Sequence, residues 1–202
     1  MYLQYLIIPF SETINKDKRV TRAVGAAKKS ISAFSFSWKK KRDLKKYQEE
    51  HGLPTHKLMA ECTTRWGSRY VMIKRVLEQN KAITEVLQSD KKTRHLVLSW
   101  QDIDVLESMG EALKGVHDFT DALSGENHVS ISYLYPVLQL FKNDLLAAKE
   151  TDTTMTKELK ESILKYLLEK FNNDRSTKDL MYMATILDPR FKADYFEEDE
   201  VS

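Results

Sequence analysis

Cysteine is almost missing from this sequence: Cys62 stands alone among 202 residues. A single thiol excludes an intramolecular disulfide, and it excludes a cysteine-rich zinc site, which needs two thiolates or a Cys/His quartet at close spacing. The histidines, at positions 51, 56, 95, 117 and 128, are too scattered to suggest a metal cluster. So little cysteine fits a reducing compartment. Glycine (six) and proline (four) are scarce as well, and such sparse punctuation favours long helices over many short strands. No apolar run approaches the roughly 18–20 residues of a membrane span, so no membrane partner is expected. The apolar opening MYLQYLIIPF has no basic stretch ahead of it, is interrupted by Gln4 and is stopped at Pro9. It reads as a buried strand or leftover element, not a signal peptide.

Catalytic signatures are missing too. No phosphate-binding glycine loop, dinucleotide fingerprint, HExxH zinc helix or GxSxG elbow is present. Cys62 reads as a buried structural thiol rather than a nucleophile. Asp102, Asp104 and Glu107 cluster at a helix start, where acidic side chains meet the positive end of the helix dipole. The reading is a non-enzyme with no cofactor, no metal and no small-molecule substrate.

What is present is a core and a polarised charge. Hydrophobic residues make up 42% and charged residues 31%, enough for a folded domain. The net charge of +2 hides an asymmetry: residues 1–95 carry 21 Lys/Arg against 9 Asp/Glu, whereas residues 96–202 carry 11 against 21. One end faces a polyanion, or two solvated helical faces attract each other within one molecule.

Periodicity points to an all-α, multi-helix bundle of seven or eight helices. Val20, Val24, Ala27, Ile31 and Phe34 recur at helical steps. SFSWKKKRDLKKYQEEHG forms a second helix, closed by Gly52 and Pro54. KLMAEC (57–62) alternates weakly and is expected to be extended. A third helix shows Trp66, Tyr70, Ile73 and Leu77 on one face, breaks near Asn80, and resumes through Ile83, Val86 and Leu87. Ser99 and Asp102 resemble a capping box with Asp in the Glu position. The helix after it ends at Ser124–Gly125. A further helix carries Pro136 early and continues through Leu145. Another shows Leu159, Ile163, Leu167 and Phe171, and the last shows Leu180, Met183 and Leu187 before Asp188–Pro189. The organisation is a remnant of a preceding element (1–15), a helical domain (16–196) with a basic half (16–95) and an acidic half (96–196), and a disordered acidic tail (197–202).

The pieces CTTRWGS (62–68) and LDPRFK (187–192), in this order and about 120 residues apart, resemble the hAT-superfamily transposases. The similarity is greatest to their domesticated relatives, the zinc finger BED domain-containing proteins, and covers roughly residues 17–196. It implies the helical insertion domain of a ribonuclease H-like transposase. It also implies that the catalytic carboxylates and the BED finger belong to regions outside this sequence, so no catalytic residue is assigned. The resemblance makes Trp66, with Arg65 and Arg69 beside it, the counterpart of a tryptophan that handles a flipped base at a cut DNA end. Trp66 shares a face with Tyr70, Ile73 and Leu77, so packing a helix is its other reading.

The run Lys39, Lys40, Lys41, Arg42, Lys45 and Lys46 has two readings as well. It is a solvated helix face, or else a nuclear-import patch or a phosphate-tracking surface whose binding is nonspecific and salt-dependent. Trp38 beside it stacks on a base or docks its helix onto a neighbour. Two functions follow. One is a catalytically inactive, nuclear, DNA-associating relative of transposases. The other is a helical scaffold that pairs with itself or with intact relatives and does not touch DNA.

Overall fold

The computed structural model describes residues 14–62, 67–124, 130–172, 175–191 and 195–196. The N-terminal apolar stretch, Trp66, Arg65, the acidic tail (197–202) and the side chain of Phe171 lie outside them. Among the described residues the chain is all-α, as the periodicity implied. It forms two compact units, one from Asn15–Leu113 and the other from the residues on either side.

In the first unit, α1 (Lys18–Ser35) begins at Asp17, whose carboxylate accepts from the Arg19 N–H at 2.7 Å. Its buried face is the stripe of the sequence: Val20, Val24, Ala27, Ile31 and Phe34. α2 (Trp38–Glu50) is capped by Ser37, whose hydroxyl accepts from the Lys40 N–H at 3.2 Å. Its end is closed by Gly52 at φ 64°, a left-handed conformation that glycine adopts without steric cost. α3 (Gly67–Glu78) and α4 (Asn80–Ser89) are separated at Gln79, one residue before the expected break at Asn80. Gln79 is fully buried there. Its amide donates to the Pro54 carbonyl at 2.9 Å and accepts from Gln48 at 2.9 Å. A buried amide without partners would cost about 1–3 kcal/mol, so this network fixes the segment after α2 against the break.

Phe34, Leu44, Ala82, Ile83, Val86 and Leu87 form a core of this unit, with Leu53 and Leu58 packed against it. α5 (Trp100–Ser124) opens with the capping box. The Ser99 hydroxyl accepts from the Asp102 N–H at 3.2 Å, and Asp102 accepts from the Ser99 N–H and hydroxyl at 3.3 and 2.6 Å.

In the second unit a 3₁₀ turn (Ile131–Tyr133) leads into α6 (Leu134–Leu140), with Pro136 in its first turn. The expected continuation to Leu145 is not α-helical. Residues Phe141–Leu145 form a π-helical turn, closed by Leu146 N–H to Phe141 O at 2.9 Å. The wider turn brings positions i and i+5 closer to one side, and both Phe141 and Leu146 are buried. α7 (Thr154–Asn172) buries Leu159, Ile163 and Leu167. At its foot Lys160, also buried, reaches Asp152 at 2.6 Å.

α8 (Arg175–Leu187) corrects the sequence reading. Its stripe Leu180, Met183 and Leu187 is 50%, 55% and 81% exposed, while Met181 and Thr185 are buried. Polar anchoring accompanies this rotation. The Thr185 hydroxyl donates to the Ser132 carbonyl at 3.1 Å, and the Tyr182 ring meets Tyr135 edge-on at 4.7 Å. The LDPRFK residues hold the same end. Asp188 accepts from the Ser132 hydroxyl at 2.6 Å and pairs with Arg190 at 2.7 Å. Arg190 donates to the Tyr133 hydroxyl at 2.7 Å and lies 4.7 Å over its ring. Arg190, and after it Ser132, hold the Asp188 carboxyl well below its ordinary range.

Candidate nucleic-acid surface

Successive residues of a helix turn by about 100°, so the six basic residues of α2 cannot all face one way. Lys40 turns inward: its ammonium donates to Asp90 at 2.8 Å and to the Thr93 hydroxyl at 3.1 Å, with its side chain 13% exposed. That contact, helped by the Lys92 N–H, holds the Asp90 carboxyl below its ordinary value. Lys41 and Lys45 share a flank with Leu44 and Gln48, and Lys41 donates to the Ser35 carbonyl at 2.8 Å.

Lys39, Arg42 and Lys46 remain, all exposed. Arg42 lies 5.3 Å over the Trp38 ring and pairs with Asp43 at 2.9 Å. Lys46 and Lys45 make long i,i+4 contacts to Glu50 (3.5 Å) and Glu49 (3.9 Å). Exposed pairs of that kind contribute about 0.3–0.5 kcal/mol and leave the charges available to an anion. Lys39 has no ion-pair or hydrogen-bond partner among the described residues.

Trp38 does not dock its helix. It is 74% exposed, and Phe36 in the turn before it is 97% exposed. Two exposed aromatic rings, one of them with the Arg42 guanidinium over it, make an amphipathic edge at the α1–α2 turn. Phe36 was missed by the sequence reading, and its signal was small: a large apolar residue outside the α1 stripe, two before the tryptophan.

The TTRW region contributes differently. Ser68 anchors Cys62 through its hydroxyl, which accepts from the Cys62 N–H and donates to its carbonyl, each at 2.8 Å. Cys62 itself is exposed, contrary to the buried thiol expected. Arg69 is 8% exposed, donating to Glu61 at 2.8 Å and to the Asn15 side chain at 2.9 Å. Lys28 reaches the other Glu61 oxygen at 2.7 Å. Burial alone would push the Glu61 carboxyl up; Lys28 and Arg69 outweigh it and hold it below its usual value. Among the described residues no group of three or more His, Cys, Asp or Glu side chains could hold a metal ion. No described helix is long and apolar enough to cross a membrane.

Comparison with known proteins agrees with the helical architecture. The profile of the ZBED1 RNase-like helical domain matches residues 10–120. The chain is 28% identical over 193 residues to human zinc finger BED domain-containing protein 4, covering 94% of this chain and 16% of that relative. The chain thus spans about a sixth of the length of the curated relative it matches. No solved structure matches it. With more than half of its length covered by that profile, the chain belongs to the ZBED1 RNase-like helical domain family.

Proposed function

We propose that this chain is a DNA-associating, non-catalytic helical segment of a hAT/BED transposase-derived protein acting in the nucleus. The observation that carries the reading is the exposed pair Phe36 and Trp38, with Arg42 over the Trp38 ring, at the start of a helix that also exposes Lys39 and Lys46. Exposed apolar rings cost hydration in the free protein, and stacking a base on such a ring contributes about 1–3 kcal/mol. The neighbouring cations supply the sequence-independent attraction to phosphate. Single-stranded or unpaired DNA is the substrate class this edge suits, because a stacked base must be open to the ring. The motif tryptophan, Trp66, belongs to the same proposal as a second stacking residue.

Fluorescence anisotropy with labelled single-stranded, hairpin and duplex DNA over a salt series tests it. Binding should weaken as salt rises, favour unpaired DNA, and fall by about tenfold or more in Trp38→Ala. No binding at low salt, or equal binding by Trp38→Ala, removes the reading.

The scaffold reading is favoured by one other observation, the apolar face of α8 formed by Leu180, Met183 and Leu187. A contiguous exposed apolar face marks an association surface more often than a solvated one. Self-association abolished by Met183→Asp, with no DNA binding at any salt, would put this reading first.

A further inference from the structure

A groove of about 670 Å³ lies between α1, α2 and residues 55–58. Its floor is aliphatic and aromatic: Ile31, Phe34, Leu44 and Leu58. Its rim carries three ammonium groups, Lys41 and Lys45 from α2 and Lys57 from the segment that follows. The volume lies within the roughly 300–1,000 Å³ of pockets that hold ligands. An apolar floor under a cationic rim selects an anion with an apolar body.

The wall of the groove narrows the choice. Lys57 and Leu58 of the wall, and Met59 and Ala60 just beyond it, have no helix or strand structure, and their backbone N–H and C=O groups make no hydrogen bond among the described residues. The run is nevertheless held at both ends. Before it, the His56 carbonyl accepts from the Gln48 amide at 2.8 Å, and the His56 ring meets Glu78 at 3.0 Å. After it, Glu61 is clamped by Lys28 and Arg69, and Cys62 is bonded to Ser68. Open backbone groups fixed in place are what an extended peptide pairs with when it lies alongside a chain. A nucleic acid finds less here. The rings that line it are Phe34, 2% exposed, and the His56 imidazole, paired with Glu78; no tryptophan or tyrosine lines the groove.

We propose that this groove binds an acidic peptide in extended form. The peptide's backbone pairs with residues 57–60, one large apolar side chain sits over Leu44 and Leu58, and its carboxylates meet Lys41, Lys45 and Lys57. The site is separate from the Trp38 edge. Neither Trp38 nor Phe36 lines the groove, and neither proposal depends on the other.

The test uses the full chain and a fluorescein-labelled eight-residue peptide with one central Leu among Glu and Ser. Three further peptides carry Lys for Glu, Ser for Leu, or N-methyl groups on alternate backbone nitrogens. Saturable binding is expected for the first peptide, weakened about tenfold or more by each change. The double variant Lys45→Glu/Lys57→Glu should lose binding to the same extent. Both positions are exposed, so its circular dichroism should match the unaltered chain. Trp38→Ala should bind the peptide as the unaltered chain does. The proposal is overturned by absence of saturable binding at low salt, or by equal binding of the N-methylated peptide. It is equally overturned if labelled oligothymidylate binds more tightly than the peptide and loses that binding in the Lys45→Glu/Lys57→Glu variant, which makes the groove a nucleic-acid site.

Discussion

The Arg69 guanidinium meets the Glu61 carboxylate at 2.8 Å, with the two side chains only 10% and 6% exposed. A residue whose charge and position beside a tryptophan suggest phosphate binding is therefore held in a contact that joins α3 to the preceding segment. Removing one partner of a buried pair leaves the other charge uncompensated, at a cost of about 3–5 kcal/mol. Arg69→Ala is expected toward the lower end, because Lys28 stays on the second Glu61 oxygen. Lys28→Ala, whose side chain is 43% exposed, should cost under about 1 kcal/mol. Urea denaturation of the two variants checks the ordering.

The same carboxylate gives a pH dependence. Glu61 has a folded pKa below its ordinary 4.5: burial pushes it up, and Lys28 and Arg69 more than offset that. A lowered folded pKa means that the unfolded chain takes up the proton first as pH falls. The stabilisation is thus complete above about pH 4.5 and is lost as pH drops through the folded value. The difference in urea midpoint between the unaltered chain and Glu61→Gln should hold steady from neutral pH to about pH 5.5 and shrink below about pH 4.5. A difference that grows on acidification contradicts the assignment.

Two glycines should respond in opposite directions. A methyl group at Gly25, inside α1, meets nothing within 4 Å, so Gly25→Ala should stabilise by about 0.5–1 kcal/mol through helix propensity. Gly52 sits at φ 64°, where a Cβ crowds the following carbonyl, and Gly52→Ala should destabilise by about 1–2 kcal/mol. Thermal melts read both signs directly.

On α8, the exposed and buried positions predict unequal costs. Met181→Ala empties a fully buried site and should cost about 2–5 kcal/mol, whereas Leu187→Glu, at a position 81% exposed, should stay within about 0.5 kcal/mol. A loss for Leu187→Glu as large as that for Met181→Ala would mean that the sequence stripe is packed as well.

The basic run of α2 should split by function. Lys40→Ala breaks the Asp90 contact and should shift stability while leaving the salt slope of DNA binding unchanged. Each of Lys39→Ala and Lys46→Ala should leave stability alone and lower that slope by about 1. Anisotropy titrations at several salt concentrations, paired with thermal melts, separate the two behaviours.

Much of this was legible without coordinates. The α1 stripe, the break at Gln79 and the Ser99–Asp102 capping box are local features, set by residues within a turn or two of one another. Glycine after α2 and proline in the first turn of α6 act through their own backbone torsions, and they ended or opened helices where the sequence placed them. The candidate surface was legible only as a basic run. Which of its members are spent on Asp90 or on the Ser35 carbonyl depends on partners that the run does not contain.

The sequence by itself determined the class of fold, the helix boundaries to within a few residues and the family, because periodicity, caps and motif spacing are encoded in neighbouring positions. Only the tertiary structure decided which faces are used. α8 carries two candidate stripes, and the distant Ser132 carbonyl, accepting from Thr185, goes with burying the one with fewer apolar residues. Trp38 stays exposed with only its own helix's Arg42 over the ring among the contacts of the described residues, and Arg69 is buried because Glu61 and Asn15 reach it from other segments. Burial is a property of what arrives from elsewhere in the chain, and local pattern cannot supply it.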